Sequence, residues 1–257
     1  APAGAALDFR SWVSLDFLLS PPSASPASTG VRVALLGSLW VTALTMLIAF
    51  PIGVGAAIYL EEYAAPTRFN RFIEINIRNL AGVPSIIYGI PGLAVFVRML
   101  ATYTGGRWIL SAALTLALLV LPVIIINAQE AIRAVPLSLR EASYGIGATR
   151  WQTIWRVVLR SATPGILTGT ILAISRAIGE TAPLLLVGAS TFIAADPTGL
   201  FAKFTVLPIQ IYNYTARPQQ PWRDAAAAAI LVLLLVLVLF NATAIIMRQR
   251  ARRRLSA

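Results

Sequence analysis

Residues 225–247 read AAAAAILVLLLVLVLFNATAIIM, without one charged side chain. A helix needs about 20 apolar residues to cross a hydrocarbon core roughly 30 Å thick, because it rises only about 1.5 Å per residue. No soluble fold buries such a run on every face. It therefore fixes an integral membrane chain, and an all-α one, since helices and closed barrels alone satisfy their backbone inside lipid and a barrel strand is half as long. Four further stretches qualify as spans: 33–60, 76–97, 108–129 and 164–195. The last covers 32 residues and would reach about 48 Å as one straight helix, so a kink or break at Pro183 is expected. Pro51, Gly82-Val83-Pro84 and Pro91-Gly92 interrupt other spans.

The formal charge of +11 sits between these runs rather than in a patch on a polar domain, which argues against nucleic acid as a partner and for the excess of cations on cytoplasmic loops. Segments 61–78, 130–160 and 248–257 carry thirteen Lys and Arg, against six in 1–30, 98–107 and 196–223. The first set is placed in the cytoplasm, with the C-terminus, and the chain in a multi-pass inner (plasma) membrane. Three regions follow: an extracytoplasmic segment at 1–30, a transmembrane domain at 31–247 and a basic tail at 248–257. Asp8, Arg10 and Asp16 interrupt the first segment and exclude a signal peptide there, so five spans with an inside C-terminus lead to the expectation of a preceding helix, six in all. With no cysteine and no histidine, disulfides, thiolate chemistry and histidine metal sites or proton relays are excluded.

The loop at 136–160 reads PLSLREASYGIGATRWQTIWRVVLR. Ser138 with Glu141, and Thr149 with Gln152, have capping-box spacing, and Gly147 stands between them where a left-handed residue ends a helix. Two short helices joined at a glycine are expected, exposing Arg140, Tyr144, Arg150 and Trp151. Local pattern leaves two readings: a loop lying on the membrane surface, or a docking element. Glu141-Ala142, with Gly147 downstream, resembles the EAA signature of the transmembrane subunits of binding-protein-dependent ABC importers. Ser143 in the third position and Arg160 near the end depart from it. The resemblance implies the type I importer fold, with Arg140, Glu141, Ala142, Tyr144, Gly147, Arg150 and Trp151 on a helix that couples to a cytoplasmic ATPase.

Arg176 and Glu180 are the only charges deep within a span, where each costs roughly 2.5–3.5 kcal/mol on insertion scales. Their i, i+4 spacing puts them one turn apart on one face. A packing salt bridge is one reading. The other is a substrate path in which the planar guanidinium meets an oxyanion, Glu180 holds it between passages, and Thr181 adds a hydroxyl. Ser85, after Pro84, is a further pathway candidate at a helix break. Asn127, Gln129 and Glu130 read as boundary residues. Asn241-Ala-Thr243 is discounted as a glycosylation sequon because it lies in a span. Gln210, Tyr212 and Asn213 read as an outside segment that touches a binding protein or turns back into the membrane.

The run Arg176-Ala-Ile-Gly-Glu-Thr-Ala-Pro-Leu-Leu185 resembles phosphate-specific ABC permeases. Together with residues 140–154, 207–213 (LPIQIYN) and 79–89 (NLAGVPSIIYG), it is similar to their PstA-type paralogues, over nearly the whole chain. Pro91 departs from a bulky apolar residue. The resemblance implies four kinds of partner: a paralogous permease, two copies of an ATPase, an extracytoplasmic phosphate-binding protein and the lipid membrane. The chain itself has no Gly-x-x-x-x-Gly-Lys-Ser/Thr loop, so it is expected to be non-catalytic and to bind no cofactor, ATP and Mg being used by the ATPase. The alternatives are a permease for another oxyanion, such as molybdate or sulfate, which would lack the Arg-x-x-Gly-Glu-Thr-Ala-Pro run, and a secondary transporter or channel, which would want an acidic or histidine relay or an internal repeat.

Overall fold

The computed structural model of the chain describes residues 13–104, 106–189 and 192–256. Asp8 and Arg10 of the first segment, and positions 190 and 191 of the expected fourth span, lie outside the described residues. Eleven helices and no strand occur among the described residues. In chain order they are α1 (Leu15–Leu19), α2 (Arg32–Tyr63), α3 (Arg68–Ala81), α4 (Ser85–Met99), α5 (Ala101–Thr104), α6 (Ile109–Arg133), α7 (Leu137–Gly145), α8 (Arg150–Gly179), α9 (Ala182–Val187), α10 (Leu207–Thr215) and α11 (Gln220–Ser256). Four of them, α2, α6, α8 and α11, are long and apolar enough to cross a membrane, and α3 with α4 makes a fifth only as a pair bent by 111°.

Helix α6 is the hub, buried on most of its length between α2, α4 and α8. Lipid tails are as apolar as leucine, so membrane helices gain by close packing rather than by escaping water, and small residues permit that approach. Each neighbour meets α6 with a glycine. A Cβ on Gly53 of α2 would stand 2.7 Å from Ile124, and one on Gly165 of α8 would stand 2.6 Å from Ala131. Gly92 of α4 faces Thr115 and Gly169 of α8 faces Asn127, both too closely for any side chain. The prolines inside these helices (Pro51, Pro91, Pro122 and Pro164) do not end them. Instead α2, α4 and α8 widen into π-type turns at Tyr59–Tyr63, Gly92–Met99 and Ile154–Val158.

Two expected spans differ in the structure. The span at 76–97 divides at Gly82-Val83-Pro84, and residues 76–81 belong to α3, which turns away from α4. Pro84 forbids the helical conformation before it, and the Tyr88 hydroxyl donates to the Leu80 carbonyl at 2.7 Å, satisfying a helix-end acceptor across the turn. The span at 164–195 begins earlier: α8 runs unbroken from Arg150 to Gly179, then stops three residues ahead of Pro183.

At the end of the bundle away from α7, the first segment docks on α10 and α11. Phe17, Val31, Leu207, Tyr214 and Trp222 form one buried cluster. The Tyr214 hydroxyl donates to the Gly30 carbonyl at 2.9 Å, so the Thr29 hydroxyl, 2.8 Å away, donates to Tyr214. Burial pushes the Tyr214 hydroxyl above its ordinary range and keeps that proton in place. Of the expected outside segment, Gln210 is buried in α10 and offers no surface to a binding protein, while Tyr212 is exposed.

Candidate functional site

Helix α8 ends because Glu180 is extended, at φ −75° and ψ 128°, so the helix cannot continue through it. Thr181 then precedes α9, whose second residue is Pro183, a residue suited to a helix start, and Gly188 closes α9 in the left-handed region at φ 97°. The break leaves the pair intact: Arg176 Nε donates to Glu180 Oε1 at 3.3 Å. Arg176 is one-third exposed and Glu180 about one-seventh, at 33% and 14%. Behind the break, Ala177, Ile178 and Leu184 close against α2 and α6 with no room for a water molecule. Arg176 itself keeps an accessible face.

Ser85 is the first residue of α4, and Pro84 is its N-cap. Helix α4 reaches the break through Gly89, where a Cβ would stand 2.9 Å from the Pro183 Cα. Arg176 also interacts electrostatically with Tyr88, one turn along α4 from Ser85. Arg176, Glu180, Thr181 and the first turns of α4 thus share one region. A guanidinium held by a single Nε contact keeps its other N–H groups for an oxyanion, while the carboxylate prevents an unpaired cation in lipid.

The second candidate is the hairpin of α7 and the start of α8. Gly147 joins the two arms at φ 81°, and the Thr149–Gln152 capping box is formed, with the Thr149 N–H donating to Gln152 Oε1 at 2.9 Å and the Gln152 N–H to Thr149 Oγ1 at 3.3 Å. The Ser138–Glu141 box is not. Pro136 occupies the N-cap position of α7, which puts Ser138 inside the first turn where its hydroxyl cannot cap. The second arm is not a separate short helix but the first turns of α8.

Two expected docking residues, Arg140 and Arg150, reach back to α2, Arg140 half-buried and Arg150 still exposed. Arg140 Nη1 lies 2.6 Å from Glu62 Oε1, an ion pair without hydrogen-bond alignment, and Nη2 donates to the Ile132 carbonyl at 2.9 Å. Arg150 donates to the Glu62 carbonyl and stacks over the Tyr63 ring, 5.0 Å from its centroid. Next to them Arg133 Nη2 pairs with Glu61 Oε1 at 2.5 Å. The last turn of α2 thereby clasps the hairpin. Ser143 and Thr153 share a buried hydrogen bond of 2.9 Å that ties the two arms together. Glu141, Ala142, Tyr144 and Trp151 remain exposed, next to Leu137, Ile146 and Trp155, and Trp151 and Trp155 stack at 5.7 Å.

Glu61, Glu62 and Thr153 were not singled out by sequence reasoning, and Ser143 only as a departure from the signature. The glutamates sit at the end of a span, where charge is ordinary, and only their partners 70 to 90 residues away distinguish them. Of the boundary residues, Gln129 is buried under α3, 3.5 Å from Glu74 Oε1, and Asn127 donates to the Val123 carbonyl at 2.8 Å, while Glu130 is exposed. Asn241 accepts from Ser175 at 2.7 Å across α8 and α11. No cluster of three or more metal-ligating side chains occurs among the described residues.

Residues 49–256 match the family described as binding-protein-dependent transport system inner membrane component. Among curated proteins, the chain is 36% identical over 229 residues to the probable ABC transporter permease protein YqgI of Bacillus subtilis, covering 84% of this chain and 76% of that one. It is 40% identical over 191 residues to the phosphate transport system permease protein PstA 1 of Mycobacterium tuberculosis H37Rv, covering 74% of this chain and 60% of the relative. The PstA protein of Haemophilus influenzae is 35% identical over 215 residues, with 83% and 74% covered. Among solved structures, a chain of the inward-facing MetNI methionine ABC transporter superposes with a TM-score of 0.63 at 18% identity, over 85% of this chain and 96% of that chain. A chain of a bacterial alginate importer superposes with a TM-score of 0.60 at 18% identity, over 84% and 78%. The shared fold is that of the type I ABC importer transmembrane subunit.

Proposed function

The chain belongs to the inner membrane components of binding-protein-dependent transport systems, the permease subunits of ABC importers, and on that premise we propose that it carries inorganic phosphate across a prokaryotic inner membrane. The observation that carries the reading is the Arg176–Glu180 pair, 3.3 Å apart at a helix break, with the guanidinium one-third exposed. A path lined by that exposed face needs a second permease to close it, which supports pairing with a paralogue. The names of the PstA relatives support phosphate as the cargo.

On this reading an extracytoplasmic binding protein delivers phosphate to the mouth at the α1–α10 end. Of two copies of a cytoplasmic ATPase, which alone use ATP and Mg, one grips the exposed face of this hairpin at Glu141, Ala142, Tyr144 and Trp151. Their closure moves α7. Arg140 and Arg150 pass the movement to α2 through Glu62, and α8 passes it directly to Arg176 because it is continuous from the hairpin to the break. Arg176 exchanges its Glu180 contact for phosphate oxygens and takes it back on release. Ser85 and Thr181 offer hydroxyls along the way.

The test is ATP-driven uptake of labelled phosphate into liposomes holding the full complex, comparing the parent with Arg176→Gln and Arg176→Lys. The expected outcome is collapse of uptake in Arg176→Gln with assembly and ATPase activity retained, and incomplete recovery in Arg176→Lys, which lacks the planar fork. Normal uptake by Arg176→Gln would show the pair to be a packing contact. A parent complex that ignores phosphate and moves another oxyanion would overturn the cargo and leave the path.

A further inference from the structure

Helix α3 has three faces with different chemistry. One packs on α6 through the half-buried Ile73 and Ile77, with Glu74 beside Gln129. The second carries Phe69, Phe72 and Leu80, all exposed. The third carries Arg68, Arg71 and Arg78, also exposed, with Ile75 as the apolar exception among them. At about 100° per residue, the centres of the second and third faces are separated by well over a right angle. No residue of α3 is fully buried, although its neighbours α2 and α6 are core helices.

Its position is as specific as its pattern. Helix α3 follows the hairpin-side end of α2, packs beside the hairpin-side end of α6, and turns 111° before α4 rises. It therefore lies across the bundle rather than along it. Its 14 residues extend about 21 Å. The one amide within the apolar face, Asn76, donates back to the Phe72 carbonyl at 2.8 Å, which lowers the cost of placing it at the edge of the hydrocarbon.

The arginines of the third face form no ion pair among the described residues, whereas Arg32, Arg133, Arg140 and Arg176 each have a carboxylate partner. At the elbow between α2 and α3 a cavity of about 400 Å³ opens between Leu60, Pro66, Arg68 and Arg71. Other polar groups there have partners: Thr67 Oγ1 accepts from the Asn70 N–H, the Asn70 side chain donates to the Ala65 carbonyl, and Glu74, the one carboxylate lining the cavity, accepts from Gln129 at 3.5 Å.

We propose that α3 is an in-plane helix seated in the membrane leaflet on the hairpin side, with Phe69, Phe72 and Leu80 among the acyl chains and Arg68, Arg71 and Arg78 holding anionic phospholipid headgroups. An exposed basic face beside an exposed aromatic one is the pattern of interfacial helices, whose hold combines apolar burial with attraction to acidic lipid. A protein partner is the rival occupant, and the labels below distinguish it; the anionic leaflet fits the aromatic and the basic face at once. The proposal does not depend on which anion is transported.

Because the chain has no cysteine, single nitroxide labels report depth cleanly. The full complex carrying Phe72→Cys or Arg78→Cys is labelled and placed in mixed phosphatidylcholine and phosphatidylglycerol vesicles. Expected is a label at 72 that collides with oxygen and is shielded from a water-soluble nickel reagent, and the reverse at 78. A label at 72 shielded from both would mean a protein covers that face, and one open to nickel would mean water does; either overturns the proposal. The charge half is read by native mass spectrometry of retained lipid. Replacing Arg68, Arg71 and Arg78 by Gln is expected to lower the preference for phosphatidylglycerol over phosphatidylcholine by roughly five-fold per arginine. If the triple variant fails to assemble, Arg71→Gln alone gives the same comparison, and an unchanged preference would overturn the headgroup contact.

Discussion

Glu62 ends the last turn of α2 and holds two residues of the hairpin at once, Arg140 through its carboxylate and Arg150 through its carbonyl. Its side chain is 6% exposed and that of Arg140 19%, so neither charge can turn to water without opening the clasp. Removing one member of a buried pair typically costs about 3–5 kcal/mol, because the other is left without compensation. Glu62→Ala is therefore expected to loosen the hairpin, cut phosphate uptake by an order of magnitude or so while ATPase activity persists, and raise amide exchange over α7. The charge-exchanged pair Glu62→Arg with Arg140→Glu should recover part of the loss, and recovery by neither measure would show that the clasp does not transmit movement. Arg176 and Glu180 were legible in the sequence because a charge deep in a span stands out against its neighbours. Glu62 was not, because a carboxylate at the end of a span is ordinary until its partner 78 residues on is known.

Helices were legible where they are apolar on every side. The runs that became α2, α6 and α11 stand close to where hydropathy puts them, since lipid tests nothing but length and polarity. Direction was not legible. An average over residues 76–97 has no means of registering a 111° turn, which depends on Pro84 and on a hydrogen bond from Tyr88 to a carbonyl eight residues back. The hairpin was half legible, because Thr149 and Gln152 do cap but Pro136 takes the position that Ser138 would need. Two predictions belong to this scale. A Cβ on Gly147 meets nothing within 4 Å, yet φ is 81°, so Gly147→Val carries only backbone strain, about 1–2 kcal/mol. It should make the hairpin more sensitive to limited proteolysis without disturbing the spans, and equal sensitivity would show that the turn tolerates a side chain. At Gly37 of α2 the reverse holds: the helix is regular, but a Cβ would fall on the Thr205 carbonyl, and backbone cannot move aside as a side chain can. Gly37→Ala should lower stability by about 1–3 kcal/mol in a thermal unfolding assay in detergent. Gly55→Ala, on the same helix with open space around it, should leave stability unchanged or raise it by up to about 1 kcal/mol.

The molecule as a whole has two unlike ends, and its proposed orientation follows from their charge. One end gathers the Glu61 and Glu62 clasps, the hairpin and α3, and the segments there and in the tail hold thirteen of the cations. The other gathers α1, α10 and the Arg32–Asp196 pair, with six cations in its segments. Loops rich in Lys and Arg favour the cytoplasmic side during insertion, and the proposed function rests on that orientation: the hairpin end inward, with the exposed Tyr144, Ile146, Trp151 and Trp155 offered to a cytoplasmic partner. The side chain at 146 is the most exposed apolar one there, at 87%, and nothing among the described residues covers it. With no native cysteine to interfere, Ile146→Cys and Lys203→Cys can each be probed with a membrane-impermeant maleimide. In spheroplasts Lys203→Cys should react at once, and Ile146→Cys only after lysis. Labelling in the opposite order would invert the topology and with it the assignment of the hairpin to the ATPase. After lysis, adding the partner ATPase should slow the reaction at 146, because a docked subunit shields the position whereas a hairpin resting on lipid headgroups would be shielded equally without it. An unchanged rate would return the hairpin to the membrane surface, and movement of the bundle would then have to start elsewhere than α7.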